Sequence, residues 1–228
     1  MINRIEHIFK PYAKLLATVD DWFGRCVVKA GSAITCRSGC SQCCRGLFDI
    51  TLLDACYLKA GFYLLSNEVK AEVLRKSEAR LSGIMALWPE FAPPYLLNYR
   101  PDEEWEEILP QEDETPCVLL GADNRCMVYD YRPMTCRLHG LPLVDFSGEV
   151  LDDAWCTLNF VGGDPLTMTE LRGEFTKLFK NELVLFHILV EQLLKLPFSE
   201  LDTVIPTALL IDFAGFDWDG WLIHNGEH

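Results

Sequence analysis

Positive charge is what this chain has least of. Against 34 Asp and Glu stand 20 Lys and Arg, and the formal net charge is −14 over 228 residues. The basic side chains are scattered. Nucleic-acid binders gather Lys and Arg on one face, so a phosphate-backbone partner is not expected. The same balance disfavours an anionic membrane surface. Long apolar runs are missing as well. The most apolar stretch, residues 183–196, is broken by His187, Glu191, Gln192 and Lys195 and falls short of a membrane span. Residues 1–8 have no continuous apolar segment and no small-residue cleavage site, so no secretory leader is expected there. We find no P-loop, no HExxH and no Ser–His–Asp set, and no internal repeat or low-complexity stretch. These absences predict a cytoplasmic protein that binds neither nucleic acid nor membrane. Another protein is the expected partner, and the oligomeric state stays open.

Cysteine, by contrast, is abundant: the chain has 10. In a reducing compartment such thiols serve as metal ligands more often than as disulfides. The densest stretch is Cys36-Arg37-Ser38-Gly39-Cys40-Ser41-Gln42-Cys43-Cys44, with Gly46 just beyond. Thiolates are strong soft-metal ligands, and glycines beside them let backbone N–H groups turn toward a charged centre. This loop is expected to hold metal or an iron–sulfur cluster.

The rest reads as mostly helical. Ile5, Ile8, Phe9, Tyr12, Leu15, Leu16, Val19, Trp22, Phe23 and Cys26 recur at steps of three and four, predicting a helix over 2–29 that starts or kinks at Pro11. Cys26 lies on that apolar stripe, and Cys56 follows Leu52 by one helical turn. Both read as core. Thr51 is the N-cap of a helix running to a Gly61 C-cap, with Asp54 placed to reach back. Ser66 or Asn67 caps a helix over 67–88, closed by Pro89. Residues 90–116 read as an acidic surface excursion with one helical turn at Trp105–Leu109. Thr167 and Glu170 form a capping box for a long helix to about Leu196, stopped by Pro197. A short helix over 206–214 precedes an aromatic tail.

The second cysteine block lies about 70 residues after the first. Cys117 and Cys126 flank Gly121-Ala122-Asp123-Asn124, a hairpin signal with one thiol on each arm. Pro133 reads as the first residue of a short helix whose first turn carries Cys136, where the dipole favours a thiolate. Leu143–Phe146 and Glu149–Leu151 flank Ser147-Gly148 as a second hairpin. Cys156 follows Trp155. Gly162-Gly163-Asp164, with Pro165 beside it, reads as a turn. The fold class expected is therefore mostly α with one or two small β-hairpins. It is a single domain over 1–228, with a cysteine-cluster core at about 36–160 between flanking helices 2–29 and 167–214.

Eight thiols are left unexplained by core packing: Cys36, Cys40, Cys43, Cys44, Cys117, Cys126, Cys136 and Cys156. One zinc, or one cubane cluster, takes four thiolates, so there are either two sites or one site with spares. Only Cys40–Cys43 has knuckle spacing, and the downstream thiols stand singly. That irregularity favours an iron–sulfur cluster, of the 4Fe–4S type, over zinc. Cys36-x3-Cys40-x2-Cys43 also matches the triplet of radical S-adenosylmethionine enzymes. However, Gln42 stands where those prefer an aromatic, and the strand–helix alternation of a barrel is missing.

The stretch ending Cys43-Cys44, together with Pro116-Cys117, Cys126-x2-Tyr129 and Arg132-Pro133-x2-Cys136-Arg137, resembles the CxxCxxCC family. This is the YkgJ-type cysteine-cluster group described as zinc- or iron-chelating, to which the flagellin lysine methylases are related. The first gap here is three residues, not two. The resemblance covers about residues 36–160 and implies a cysteine-bound metal or Fe–S centre. The positions that match put Cys40, Cys43, Cys44, Cys117, Cys126 and Cys136 first as ligands, then Cys36 and Cys156. His139 could ligate, support a ligand or sit in a solvated loop. Arg132 and Arg137 could offset the charge of the centre or form plain ion pairs. Three functions follow: a structural or redox metal centre, a protein N-methyltransferase using S-adenosylmethionine beside the cluster, or a metal carrier.

Overall fold

The computed structural model describes residues 2–98, 105, 113–195 and 198–225. Helix α1 (Ile2–Ala30) runs unbroken through Pro11. Its stripe Ile5, Ile8, Tyr12, Leu16, Val19, Trp22 and Cys26 is buried in the main core, where helical periodicity puts it.

Helix α2 (Leu52–Tyr63) is the central element. It is buried nearly all round, Asp54 and Lys59 included. The Thr51 hydroxyl caps it by accepting the Asp54 N–H at 3.1 Å. The reciprocal half of the expected box is not made, because the Asp54 carboxylate turns inward. Gly61 is not a C-cap but a site of close approach inside the helix. A Cβ there would fall 2.5 Å from the Tyr131 side chain. Ser66 caps α3 (Asn67–Leu87), and Trp88 ends it one residue before Pro89.

The third long helix is shorter than its capping box suggests. Residues 165–167 and 169–171 form two 3-10 turns. The Thr167 hydroxyl donates to the Asp164 carbonyl instead of capping. Gly173 is held in extended pairing with the 144–146 strand, its N–H donating to Val144 O at 3.1 Å and its carbonyl accepting Phe146 N at 3.0 Å. The helix, α5 (Phe175–Leu194), therefore starts only after Gly173. Its first-turn N–H at Thr176 goes to the Asp145 carboxylate at 2.9 Å. It ends at Lys195 in the left-handed conformation (φ 58°). Pro197, and the turn expected at 105–109 apart from Trp105, lie outside the described residues.

Short helix α4 is Met134–Leu138. The helix expected over 206–214 is only α6 (Ile205–Ala208). Asp212 breaks the segment by accepting the N–H groups of Ala214 and Gly215, and α7 (Trp218–Asn225) follows. Helix α1 packs on α5 and α4, and α2 on α6.

Two small antiparallel sheets complete the frame. Strand β1 (Asp49–Thr51) pairs with β4 (Asp202–Val204) in the register Ile50↔Thr203. Strand β2 (Leu143–Val144) pairs with β3 (Val150–Asp152), as the Ser147-Gly148 turn predicts. The protein is thus mostly helical, with its cysteine loops lying between the long elements. Among the described residues no helix is long and apolar enough to cross a membrane.

Candidate metal centre

The ten thiols divide as the sequence suggests. Cys26 and Cys56 are buried in the core, while the other eight are half-buried and all are free. The first block follows a loop from Gly31 (φ 58°) past the buried Ile34. Two tandem turns shape it: Cys40 N donates to Arg37 O at 2.9 Å, and Cys44 N to Ser41 O at 3.0 Å.

The chain then pairs with the second block. Cys117 N donates to Cys44 O, and Gly46 N to Thr115 O, each at 2.9 Å, with Arg45 bridged to Pro116. Gly46 is required here. Its φ is 76°, and a Cβ would press on the Asp113 carbonyl at 3.1 Å. The hairpin beyond Cys117 is rudimentary. Leu120 bridges Cys126, Gly121 N donates to Arg125 O at 2.8 Å, and Asn124 takes a positive φ at the turn.

Cys136 rides on α4, whose entry is fixed from α2. Pro133 is the N-cap residue, not the first helical one, and its side chain makes no cap bond. The buried Asp54 carboxylate serves instead, accepting Met134 N at 3.0 and 3.2 Å and the Tyr12 hydroxyl at 2.6 Å. Arg137 is buried and plain in role. It pairs with Asp20 on α1 and donates to the carbonyls of Arg132 (3.0 Å) and Asp130 (2.9 Å). Arg132 lies over the Tyr129 ring at 4.2 Å and 3.7 Å from Asp20. Its buried Nε has no hydrogen-bond partner among the described residues. His139 packs edge-on against Phe48, their ring centroids 5.4 Å apart.

Cys156 returns the chain to the first block. Its N–H donates to Gly140 O at 3.3 Å. Asn159, nearly fully buried, organises this corner. Its amide nitrogen donates to Gly140 O at 2.8 Å and reaches Cys36 Sγ at 3.5 Å, and its oxygen accepts Thr35 N at 2.9 Å. Sequence reasoning passed over Asn159 and the Asp54 cap, because isolated polar residues carry no spacing signal.

Burial raises the pKa of four of the site thiols. It pushes Cys117 up to about 11 and lifts Cys36 and Cys126. Cys136 is pushed well above the ordinary thiol range, also by burial, against the expectation that its short helix would favour a thiolate. A helix of one turn offers little dipole against such desolvation. Cys44 moves the other way: the neighbouring Cys43 thiol donates to it and lowers its pKa. Metal binding at this site therefore has to release protons.

The donors fit a soft metal, since eight half-buried thiols supply sulfur only. As placed they are neighbours without being converged. Among the described residues no three Cys, His, Asp or Glu side chains are set to hold an ion. Closing thiols on a metal takes rotation between staggered side-chain wells.

A mostly helical protein in which two distant cysteine loops meet around free thiols is a cysteine-cluster protein. More specifically, residues 35–152 match the family model "CxxCxxCC: Putative zinc- or iron-chelating domain". That is more than half of the chain, and the chain belongs to this family. No curated protein and no solved structure matched it.

Proposed function

We propose that this protein holds an iron–sulfur cluster on the thiols that join its two cysteine blocks, and that the cluster locks the loops of the site together. The observation that carries the reading is the main-chain bond from Cys117 to Cys44 at 2.9 Å, which closes a gap of about 70 residues and lays one thiol loop against the other. The irregular spacing of the downstream thiols supports iron over a zinc ribbon, which is built from paired CxxC steps. The loops on both sides have little regular structure of their own and stand to gain most from a cross-link.

Anaerobic purification followed by iron, zinc and acid-labile sulfide analysis, with an absorption spectrum of the same sample, tests this. Matching iron and sulfide with broad visible absorption is the expected result. A colourless protein with stoichiometric zinc would overturn the iron reading and leave a zinc site on the same thiols.

A further inference from the structure

Away from the thiols, a cleft of about 430 Å³ opens between α1 and α2. Four aromatic rings line it: Phe9 from α1, Tyr57 and Tyr63 from α2, and Tyr131 from the second cysteine block. Three of the rings are held by one another. Phe9 meets Tyr57 edge-on with centroids 5.6 Å apart, and Tyr57 lies tilted on Tyr131 at 4.9 Å. Tyr131 comes this close because Gly61 has no Cβ, which would fall 2.5 Å from its side chain. The Tyr57 hydroxyl donates to Asp130 O at 3.4 Å. The outer wall is open to solvent: Tyr63 is 46% exposed and Leu64 73%. Glu6 and Lys10, about one turn apart on α1, add one charge of each sign to the lining. Among the described residues neither has an ion-pair partner.

We propose that this cleft binds a small zwitterion of the betaine class, with an alkylated ammonium group at one end and a carboxylate at the other. The faces of aromatic rings carry negative charge density and attract a cation, most strongly one that sheds its water easily. A primary ammonium would exchange a tight hydration shell for Ala13, Ala60 and Leu64, whose side chains offer no hydrogen bond. An alkylated ammonium has little such shell to lose. Glu6 supplies the opposite charge for the cationic end, and Lys10 for the carboxylate. A neutral apolar ligand would leave both of those charges unused. A phosphate-rich ligand would meet ring faces and a single lysine in a chain of net charge −14. The cleft borders the second cysteine block through Tyr131, which stands between Cys126 and Cys136 in the chain, and it takes no thiol into its lining.

The test is a titration of the full chain, purified anaerobically, with glycine betaine as the probe. Binding is read from the shift and width of the probe's methyl signal in proton NMR. Two analogues separate the contributions. tert-Butylacetate keeps the shape and the carboxylate but has no positive charge, and tetramethylammonium keeps the cation alone. Glycine betaine is expected to bind saturably, and tert-butylacetate roughly 10-fold more weakly. Tyr63→Leu and Glu6→Gln should each weaken betaine binding by about 5-fold. Lys10→Gln should weaken betaine and leave tetramethylammonium unchanged. Far-UV circular dichroism shows that each variant keeps the fold, and Phe9→Leu serves in place of Tyr63→Leu should that variant not fold. Absence of saturable betaine binding would overturn the proposal. Equal binding of tert-butylacetate would also overturn it, by reducing the cleft to a plain apolar groove. So would unchanged betaine affinity in Tyr63→Leu and Glu6→Gln, which would put the probe elsewhere on the molecule. Unchanged betaine affinity in Lys10→Gln would overturn the carboxylate half.

Discussion

Asp54 of α2 accepts the main-chain N–H of Met134 on both carboxylate oxygens, at 3.0 and 3.2 Å. The helix that carries Cys136 is therefore oriented by the most buried element of the core, with Tyr12 of α1 completing the carboxylate's partners. Burial lifts the Asp54 pKa to about 6, and the bonds from Tyr12 and Met134 hold it back from rising further.

Asp54→Ala should destabilise the fold by about 3 kcal/mol, because it strands the buried Met134 N–H, at roughly 1–3 kcal/mol, and leaves the Tyr12 hydroxyl only a long bond to Glu182 at 3.4 Å. Asp54→Asn keeps an acceptor and should lose less. Urea unfolding at neutral pH checks both. Equal stability of the alanine variant and the wild type would show that α4 is positioned by other contacts.

Asn159 does the corresponding work for Cys36. Asn159→Ala removes the acceptor for Thr35 N–H and the donor to Gly140 and Cys36. The expected loss is on the order of 2 kcal/mol. Metal retention should also fall, and more than in a core variant of equal stability cost such as Leu16→Ala. Metal content after dialysis, compared between the two, is the measurement. Equal retention would reduce Asn159 to a packing role.

Gly46→Ala should cost about 1–2 kcal/mol. The residue sits at φ 76°, and the added methyl meets the Asp113 carbonyl at 3.1 Å. The change strikes the 44–46/115–117 pairing itself, so faster hydrogen exchange at Cys117 N–H should accompany it. Exchange protection unchanged at Cys117 would contradict the role given to this pairing.

The buried Asp202 gives the protein a pH dependence of definite sign. Burial, then the nearby Glu200 and Asp49 charges, hold its carboxyl at about 7, against the restraint of the Asn98 amide. The folded state keeps this proton where the unfolded state has lost it. Stability from this group is therefore intact below pH 4 and is lost as pH rises toward 7. At about 1.4 kcal/mol per decade the full effect is up to about 4 kcal/mol. Asp202→Asn should match the wild type near pH 4 and exceed it at pH 8, as read by denaturant unfolding at both values. A difference that does not grow with pH would sink this assignment.

Much of this could be read in the sequence, for physical reasons. The α1 stripe, the Thr51 and Ser66 caps and the Ser147-Gly148 hairpin are set by residues near one another in the chain, and the structure has them. The division of the cysteines was legible too. Cys26 and Cys56 fall on apolar periodicity and are buried, and the other eight are half-buried. What failed was decided at long range. Thr167 and Glu170 satisfy a local capping pattern, yet Gly173 pairs with the 144–146 strand and delays α5 to Phe175. Pro133 was placed one position too far into α4, because the real cap is Asp54, 80 residues earlier. The Gly61 stop signal was a packing requirement for Tyr131, contributed from the second cysteine block, between Cys126 and Cys136.

The most direct test of the central claim, that the two cysteine blocks close on one metal-bearing site, is X-ray absorption at the metal edge of anaerobically prepared protein. Wild type and Cys44→Ser/Cys117→Ser would be compared. The wild type should show a sulfur-only first shell with a short iron–iron vector, and the double variant should lose sulfur scattering or bound metal. A first shell of nitrogen and oxygen in the wild type, or a spectrum unchanged in the double variant, would contradict the account.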